Sequence, residues 1–426
     1  MSSWIASSPA LDALIAQGDA YPYYRVIEGR PAPGEIVVDG VRAVNAASTD
    51  YLGLAFDPQV RAAAALAAGD LGTSCSGSAI TNGTIALHRE LEEELADFLQ
   101  RPAVMLAPTG FQANLALAHL LGVDHTVVAD QHNHASLVDA ASLSRAEHRR
   151  FGHNDTAHAE RLLRTAVDKG RAPVILTEGA FSLGGDLCAL PQLAELAGRY
   201  GAGLIVDGAH DIGVLGANGR GAAEHFGVEA AVDIVTGTFS KAFGSVGGFV
   251  AGPDVAVREL RHFGRAAVYS ASMPPPAAAA ALAAVRIVRA DPKRRAALRR
   301  AADHLHRGLA ELGHGVPAWA GPVVALPAGE PDRGSATWRA LLDAGVFAAV
   351  FRPPAVPGDQ AVVRVSVTAS HTADQVDRIL DVIARHLPLP TDTDVDAAHE
   401  TLPGARNGWH GSDSGMAQEE APCPTP

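Results

Sequence analysis

The sequence lacks the features that mark several protein classes. Its 426 residues include only three cysteines, Cys75, Cys188 and Cys423, whose odd number and wide spacing give neither a disulfide framework nor a Cys-x-x-Cys metal pair. Basic residues are too few for a nucleic-acid-binding protein, because the chain has 34 Lys and Arg but 47 Asp and Glu, which gives a formal net charge of −13. We therefore expect a protein of a reducing, cytoplasmic compartment that binds no nucleic acid.

Long hydrophobic runs are also absent. The longest apolar stretch, residues 277–285, is alanine-rich, stops at Arg286 and is too short to span a bilayer, so no membrane partner is predicted. The N-terminus shows no basic segment followed by an apolar one, so no secretory signal is predicted. Hydrophobic residues nevertheless make up 47% of the chain, which is enough for a large core, and the length predicts two or three packed units.

Changes in the sequence pattern divide the chain into four predicted regions. Residues 1–58 are expected to hold a short helix and a hairpin, the latter over 34–47. Residues 59–290 form the predicted large domain, and 291–388 a smaller α+β domain. Residues 389–426 are rich in Pro, Asp, Thr, Gly and Ser and show little periodicity, which predicts a disordered tail.

Helix-length segments alternate with short apolar runs in the large domain. The runs are continuously apolar rather than alternating, which is typical of a parallel sheet with helices on both faces. We therefore predict an α/β fold with a mostly parallel central sheet. Ligands of such sheets bind outside the carboxyl ends of the strands. The polar residues that follow the runs are thus expected around one crevice: Thr109, Asp130, Glu178, Asp207 and Lys241.

Two of these residues predict a cofactor. Lys241 lies between Phe239 and Phe243, and a partly desolvated lysine can lose its proton and attack a carbonyl carbon. Asp207 ends a buried strand, where a carboxylate needs a cation or several donors. An imine-forming lysine and an aspartate that pairs with a protonated pyridine nitrogen are the minimal protein chemistry of pyridoxal 5′-phosphate, PLP. A solvated surface lysine is the alternative for Lys241 taken alone.

A phosphate site is predicted where a strand runs into a helix. Thr109 and Gly110 open this helix, whose first backbone N–H groups can bind an anion, and the glycine permits close approach. Thr238, three residues before Lys241, offers a hydroxyl on the same side. Thr109 by itself is also compatible with a plain helix N-cap.

His134 forms a His-x-His pair with His132. No third ligand follows at a standard spacing, so no metal is predicted. An imidazole stacked on the cofactor ring is the preferred interpretation of His134, and a structural histidine is the alternative. The glycine-rich residues 213–221 do not form a strand–GxGxxG–helix pattern, so no dinucleotide site is predicted.

Seven segments carry a resemblance to a known family. They are residues 50–54, 81–92, 109–114, 133–137, 207–210, 238–244 and 269–275. Each segment alone is weak evidence of a family, but the order and spacing of all seven together are specific to one. With them the chain resembles the α-oxoamine synthase family of fold-type I PLP-dependent transferases. That family includes 8-amino-7-oxononanoate synthase, 2-amino-3-ketobutyrate CoA ligase, 5-aminolevulinate synthase and serine palmitoyltransferase.

The resemblance implies roles for the matching residues. Lys241 is expected to join the cofactor and later to move the α-proton, Asp207 to pair with the pyridine nitrogen, and His134 to stack on the ring. With His210 these are the predicted catalytic residues. The remaining implied cofactor contacts are to the ring hydroxyl, from His210 and Ser182, and to the phosphate, from Gly110, Phe111 and Thr238.

The resemblance also implies substrate contacts and a partner. Arg364 matches the arginine that grips the amino-acid carboxylate, for which a bidentate guanidinium is well suited. In the family, a hydroxyl of the segment that matches Ser270 to Ser272 reaches the phosphate of the neighbouring subunit. A homodimer with shared active sites is therefore expected.

The implied reaction is a decarboxylative Claisen-type condensation. An amino acid reacts with an acyl thioester, carried by CoA or by an acyl carrier protein, and the products are an α-aminoketone, CO2 and the free thiol of the carrier. Two alternatives stay open. The first is a PLP-dependent aminotransferase or aldol-type lyase on the same fold, which needs no thioester. The second is a non-catalytic partner subunit, which would not need to retain Lys241.

Two residues depart from the family pattern. Thr49 stands where the family usually has an asparagine near the substrate carboxylate, so Thr49 is a candidate substrate-binding residue whose effect on amino-acid choice is open. Gly208 replaces the second residue of an Asp-Glu-Ala-His segment, a change that keeps Asp207 and His210.

Overall fold

A computed structural model gives the fold. It describes residues 9–317, 319, 321–353, 355–356 and 359–389. All but the first residue of the predicted tail, 389–426, lie outside the described residues. Among those described, no helix is both long enough and apolar enough to cross a membrane.

Helices and strands alternate along most of the described chain. The α-helices are α1 (Pro9–Ile15), α2 (Pro58–Leu71), α3 (Ala86–Leu99), α4 (Gly110–Ala116), α5 (Ala135–Leu143), α6 (Thr156–Asp168), α7 (Leu190–Tyr200), α8 (Ala222–His225), α9 (Asp254–Phe263), α10 (Arg265–Val268), α11 (Pro275–Ala290), α12 (Lys293–Glu311), α13 (Pro331–Asp343) and α14 (Ala373–His386). The strands are β1 (Ile27–Gly29), β2 (Glu35–Val38), β3 (Val41–Asn45), β4 (Ala103–Ala107), β5 (His125–Asp130), β6 (Glu147–Phe151), β7 (Ala172–Glu178), β8 (Gly203–Asp207), β9 (Ile234–Thr238), β10 (Gly248–Gly252), β11 (Val323–Pro327), β12 (Val346–Phe347), β13 (Ala349–Phe351) and β14 (Val362–Ser366).

Seven strands form the central sheet, in the order β4-β10-β9-β8-β7-β5-β6. The five strands from β9 to β6 run parallel to one another. The strand β10 is antiparallel to both of its neighbours, β4 and β9. The predicted α/β fold with a mostly parallel sheet is therefore confirmed.

Successive residues of the sheet face two separate cores. Val128 and Val206 point into one cluster of buried side chains. Val127 and Ile205, their neighbours in the chain, point into the cluster on the opposite face. Because both faces are covered, both series of side chains must be apolar, which explains the continuous apolar runs in the sequence.

Two strands of the sheet were not indicated by apolar runs. β6 has the sequence Glu-His-Arg-Arg-Phe and forms the edge of the sheet, where charged side chains protect the unpaired outer side of the strand. β10 begins and ends with glycine. Gly248 brings it close to the start of α4, because a Cβ there would lie 2.5 Å from the backbone nitrogen of Gly110.

The C-terminal region holds a second sheet, with the antiparallel order β11-β14-β13. Val363 and Val365 of β14 are fully buried in a separate core, whereas Arg364 lies on the other face of the strand. The alternation of side chains along this strand therefore directs Arg364 away from the C-terminal core.

The N-terminal hairpin packs against the C-terminal region. β2 and β3 pair as predicted, with the turn at Asp39-Gly40, and β3 pairs in parallel with β12 through Val44 and Val346. Ile36 lies in the same core cluster as residues of α12 and α14. The boundaries at residues 58 and 290 stay a proposal, and they fall at the first residue of α2 and the last residue of α11.

Candidate active site

The carboxyl ends of the central strands form one crevice. β7 ends at Glu178 and β8 at Asp207, and these two residues are register partners. The next strand, β5, ends at Asp130. Thr109 follows β4, and Lys241 lies three residues beyond the end of β9. Lys241 interacts electrostatically with both Asp207 and Glu178, so residues far apart in sequence do converge at this edge of the sheet.

Lys241 is well placed to act as an amine nucleophile. Burial lowers its pKa below the usual value, the carboxyl groups of Asp207 and Glu178 oppose this effect, and the positive charge of Arg364 adds to it. Lys241 is one of three lysines in the chain, and the other two, Lys169 and Lys293, are exposed. A lysine with a lowered pKa has a larger fraction of the reactive neutral amine.

The carboxyl group of Asp207 is buried and held by two donors. Its Oδ2 accepts a hydrogen bond from Asn114 Nδ2 at 2.7 Å, and its Oδ1 accepts one from the backbone N–H of Ala209 at 2.9 Å. Only 4% of the residue is exposed. Neither donor is a cation, so the carboxylate can still bind a protonated nitrogen in the crevice.

Asn114 also connects Asp207 to His134. The same Nδ2 donates to Ser136 Oγ at 2.8 Å, and Ser136 Oγ lies 2.8 Å from His134 Nδ1. The backbone N–H of Ser136 also donates to this Nδ1, which makes Nδ1 an acceptor. The ring of His134 is therefore fixed by a chain of hydrogen bonds that begins at Asp207.

His134 and Glu178 are joined through the backbone. The N–H of His134 donates to Glu178 Oε1 at 2.6 Å. Burial and the neighbouring Asp207 raise the pKa of Glu178 well above its usual range, although the hydrogen bond from His134 opposes this. Burial lowers the pKa of His134. Both shifts favour the neutral forms, and a neutral imidazole suits stacking on an aromatic ring.

His210 contacts a tyrosine from the N-terminal part of the chain. Tyr51 Oη lies 2.7 Å from His210 Nδ1, and both residues are buried. Burial, together with the positive charges of Lys241 and Arg364, lowers the pKa of His210 well below its usual value. The hydrogen bond therefore joins a neutral imidazole to a phenol and fixes the orientation of the ring.

The start of α4 packs directly against the end of β9. A Cβ on Gly110 would lie 2.8 Å from Thr238 Cβ, so any other residue at position 110 would close this space. Thr109 Oγ1 accepts a hydrogen bond from the N–H of Gln112, which makes Thr109 the N-cap of α4. Phe111 is 41% exposed, and its ring stands edge-on to that of His134 with centroids 6.2 Å apart.

Ser270 and Ser272 lie near this helix in the same chain. Gln112 Nε2 donates to Ser270 Oγ at 2.8 Å. Ser272 donates its N–H to the carbonyl of Gly77, and its own Oγ is buried without a hydrogen-bond partner among the described residues. Tyr269, which precedes them, is 84% exposed.

Arg364 reaches the crevice from the C-terminal region. Its Nη1 donates to the carbonyl oxygen of Ser182 at 2.8 Å, and its guanidinium carbon lies 4.8 Å from the centre of the Phe351 ring. The Arg364 Nε is buried without a partner among the described residues. The guanidinium is thus held in place by a carbonyl and a ring, neither of which neutralises its charge.

The two departures from the family pattern have different surroundings. Thr49 lies in a segment tied to the strand of Arg364, because Ser366 Oγ donates to the carbonyl of Ser48 at 2.8 Å. At Gly208, a Cβ would lie 2.5 Å from Ile212 Cδ1. The side chain of Ile212 therefore occupies the space that a larger residue at 208 needs.

The crevice fits PLP in its donor set and its shape. It presents a lysine with a lowered pKa, a buried carboxylate opposite it and a glycine-lined helix start against Thr238. Asn114 Oδ1 and Arg364 Nε are buried without partners among the described residues, as in a site whose hydrogen bonding is completed by ligands. No group of His, Cys, Asp and Glu side chains suitable for a metal occurs in the part of the chain that the structure describes.

Sequence reasoning assigned no role to three of these residues. Asn114 could have been predicted as a crevice residue, because it lies four residues after Gly110 and so on the same face of α4. Glu178 was expected at the crevice from its place at a strand end, but not its contact with His134. Tyr51 lies in the resembling segment 50–54, but no local pattern indicates its contact with His210, 159 positions away in the chain.

Asn114 offers a test of the hydrogen-bond chain. We expect Asn114→Ala to weaken PLP binding and to lower activity by about 10- to 100-fold, the effect of losing a hydrogen bond to a charged group. Asn114→Asp is expected to be worse, because a second carboxylate beside Asp207 disfavours the charged form of both. Absorbance titration of the apoprotein with PLP measures the dissociation constants. Equal constants for the two variants and the unchanged protein would contradict the contact.

Comparisons with known proteins agree with this geometry. The family model for aminotransferase class I and II matches residues 43–383. An 8-amino-7-oxononanoate synthase of Methylococcus capsulatus is 40% identical over 378 residues, which cover 88% of this chain and 97% of that protein. The structure of a Sphingomonas wittichii serine palmitoyltransferase aligns with a TM-score of 0.85 and 33% identity, over 88% of this chain and 95% of that one.

One further relative is longer than this chain. A Mycobacterium tuberculosis protein assigned as 8-amino-7-oxononanoate synthase 2 is 43% identical over 352 residues, which are 82% of this chain but 44% of that protein. The chain therefore spans less than half the length of that relative. Together the matches confirm the family, the fold and the cofactor expected from the sequence: the chain belongs to the α-oxoamine synthase family of fold-type I, PLP-dependent enzymes.

Proposed function

We propose that this protein catalyses the PLP-dependent, decarboxylative condensation of an amino acid with an acyl thioester, which gives an α-aminoketone. The observation that carries the proposal is the position of Arg364, a buried guanidinium that interacts electrostatically with Lys241 and that keeps an unpartnered Nε. An amino-acid carboxylate bound there leaves its amino group and α-carbon near Lys241. The acyl donor, either CoA-bound or carried by a protein, belongs to the same proposal.

The residues of the crevice have distinct proposed roles. When bound, PLP supplies an electron sink for the electron pair left at the substrate α-carbon. Lys241 holds the cofactor and moves the α-proton, Asp207 keeps a positive charge on the ring nitrogen, and His134 covers the ring. His210, oriented by Tyr51, lies with Ser182 near the ring hydroxyl.

The phosphate and the substrate complete this assignment. Thr109 and Gly110, at the start of α4, hold the phosphate together with Phe111 and Thr238, since backbone N–H groups and a hydroxyl converge there. Thr49 lies on a segment bonded to the strand of Arg364, which supports a place beside the substrate carboxylate.

An activity assay that measures two products at once tests the proposal. PLP-loaded protein is incubated with glycine, L-alanine or L-serine and a series of acyl-CoAs, and free thiol and carboxyl-labelled CO2 are measured together. We expect both products in equal amounts with at least one pair. Thiol without CO2 would show that the thioester reacts without decarboxylation and would overturn the decarboxylative condensation. Nitrogen transfer to a 2-oxo acid, or cleavage of a β-hydroxy amino acid, in the absence of thioester would overturn it in favour of an aminotransferase or lyase. Absence of any cofactor absorbance would instead favour a non-catalytic partner subunit.

Arg364→Lys tests the carboxylate site separately. We expect the KM for the amino acid to rise about 10- to 100-fold, because lysine cannot form the bidentate contact and a hydrogen bond between charged groups contributes about 1.5–3 kcal/mol. The KM for the acyl thioester is expected to stay the same. Arg352→Lys is the matched control, since Arg352 pairs with Asp332 outside the crevice. An unchanged amino-acid KM in Arg364→Lys would remove Arg364 from the site.

We also propose a homodimer with shared active sites. An open apolar groove of about 680 Å³ lies between α2, α3 and α11 and is lined by none of the crevice residues, and Leu66 on its wall is 66% exposed. Such an exposed apolar surface fits a subunit contact. Ser270 and Ser272, next to the exposed Tyr269, are the proposed donors to the neighbouring phosphate. The free thiols of Cys75 and Cys188 fit the proposed cytoplasmic location.

A further inference from the structure

A buried histidine at the edge of the crevice bridges two carboxylates. His153 Nδ1 lies 2.9 Å from Asp130 Oδ1, and its Nε2 lies 2.9 Å from Asp186 Oδ2. The ring stacks on that of His132, with centroids 4.2 Å apart, and meets the edge of Phe181 at 4.4 Å. None of these side chains has a role in the proposed reaction.

One end of the bridge holds the turn that carries His134. Asp130 is the last residue of β5, and its Oδ1 also accepts the backbone N–H of His132. The N–H of Asn133 donates to the carbonyl of Asp130. The position of Asp130 therefore sets the path of the chain up to the proposed cofactor-stacking residue.

The other end holds the loop that carries Ser182. The N–H of Phe181 donates to the carbonyl of Asp186 at 2.8 Å, which closes the loop over Ser182. Asn154, the neighbour of His153, fastens the base of the same loop: its Nδ2 donates to the carbonyl of Leu187 at 3.0 Å, and its Oδ1 accepts the N–H of Ala189 at 2.9 Å. The loop is thus anchored to residues 153 and 154.

The loop meets the C-terminal region where Arg364 lies. The carbonyl of Ser182 accepts the hydrogen bond from Arg364 Nη1. Leu183 packs against the small cluster around Val362 and Ala325. Gly185, with a φ of +75°, approaches Val323 of β11 so closely that a Cβ has no room. A displacement of the loop would therefore move the carbonyl that positions the guanidinium.

We infer that His153 is a positioning residue for amino-acid binding: by joining Asp130 to Asp186 it holds the loop that places the Ser182 carbonyl against Arg364. The inference rests on the proposed function, in which Arg364 binds the substrate carboxylate. It predicts that loss of the bridge weakens the binding of ligands that carry a carboxylate and spares amines that lack one.

The bridge depends on the charge of His153. Burial favours the neutral ring, but the hydrogen bonds and negative charges of Asp130 and Asp186 outweigh it and raise the pKa of His153 from 6.5 to about 9. The other titratable groups that face this pair are the ring of His132, the Cys188 thiol and, on the side of Asp130, Glu178. Because the folded-state pKa is raised, the stabilisation is complete below pH 6.5 and is lost as the pH rises through about 9.

His153→Gln tests the inference by ligand binding. The dissociation constants of L-alanine and L-serine are measured from the absorbance of the PLP-loaded protein, beside those of ethylamine and ethanolamine, which lack the carboxylate. We expect the constants of the amino acids to rise about tenfold and those of the amines to change less than about twofold. An equal rise for both kinds of ligand would overturn the inference, because it would show a general loss of structure.

Two further variants keep the test decisive. Asp186→Asn keeps the shape of the loop and removes one charge of the bridge, so it should act in the same direction even if His153→Gln folds poorly. His306→Gln alters another buried histidine, bonded to the carbonyl of Gly321, and should leave all four constants unchanged. The melting temperature of the apoprotein, followed from pH 6 to 10, should fall through about pH 9 less steeply in His153→Gln than in the unchanged protein.

Combination with Arg364→Lys separates this inference from the proposed function. If Arg364→Lys weakens amino-acid binding and His153→Gln adds little to it, the two residues act on one contact. If Arg364→Lys weakens binding and His153→Gln alone has no effect, only the inference about His153 is overturned. If Arg364→Lys leaves binding unchanged, the assignment of the carboxylate site fails, and the role of His153 fails with it.

Discussion

Replacing Lys241 with alanine is expected to lower the rate of the proposed condensation by at least about 1,000-fold, because the change removes the amine that we propose both binds the cofactor and moves the α-proton. Opposing effects act on the pKa of Lys241: burial and the charge of Arg364 favour the neutral amine, while Asp207 and Glu178 favour the charged form. No other lysine lies in the crevice, since Lys169 and Lys293 are exposed.

Covalent labelling measures the same prediction without relying on turnover. Borohydride treatment of PLP-loaded protein, followed by peptide mapping, should attach the cofactor to Lys241. The chain has only three lysines, so the assignment has few alternatives. Lys293→Ala is the matched control and should retain both the label and the activity. A label on Lys169 or Lys293, or an active Lys241→Ala variant, would remove the chemical basis of the proposed function.

The crevice could be predicted because it follows from sheet geometry. Parallel strands end at one edge, so polar residues placed directly after apolar runs had to meet there. Glu178 and Asp207 even occupy matching register positions on β7 and β8. Arg364 needed only the two-residue period of a strand to be directed away from the valine core. In each case local periodicity and one topological rule were sufficient.

Contacts between distant segments could not be predicted in this way. Asn114 and Asp207 are 93 positions apart, and Arg364 and Ser182 are 182 apart. Their distances depend on how the helices and the C-terminal region pack, which no local pattern records. The same applies to the pairing of β3 with β12 and to the bridge from His153 to Asp186.

Gly208 shows how packing decides whether a sequence departure matters. From the sequence, Gly208 is a side chain lost beside the aspartate that we propose pairs with the cofactor. In the structure the space is filled by Ile212, and the backbone still donates the N–H of Ala209 to Asp207. The departure therefore leaves the carboxylate in place and changes only the side chains that pack behind it.

Asp207→Asn is expected to lower the condensation rate by about 100- to 1,000-fold, the range for removing one preorganised electrostatic contact. An amide has nearly the shape of a carboxyl group, but its single oxygen can accept only one of the two hydrogen bonds, from Asn114 or from Ala209. It also carries no negative charge for the proposed pairing with a protonated ring nitrogen. The loss should appear in turnover and in the absorbance of the bound cofactor. The free energy of unfolding of the apoprotein should change by no more than about 1.5 kcal/mol, because the substitution nearly preserves shape and removes one hydrogen bond.

Asp211→Asn is the control that distinguishes the loss of a charge next to the cofactor ring from the loss of any buried charge in the protein interior. Asp211 is also buried and lies four residues further along, and its Oδ2 accepts the N–H of Ala222 at 2.7 Å. Burial raises the pKa of Asp211 to about 7, so much of this group is already neutral near that pH. Its amide variant should therefore leave turnover and the cofactor absorbance unchanged near neutral pH. If both variants lose activity equally, the effect of position 207 is one of buried charge in general. If neither does, Asp207 does not pair with the cofactor.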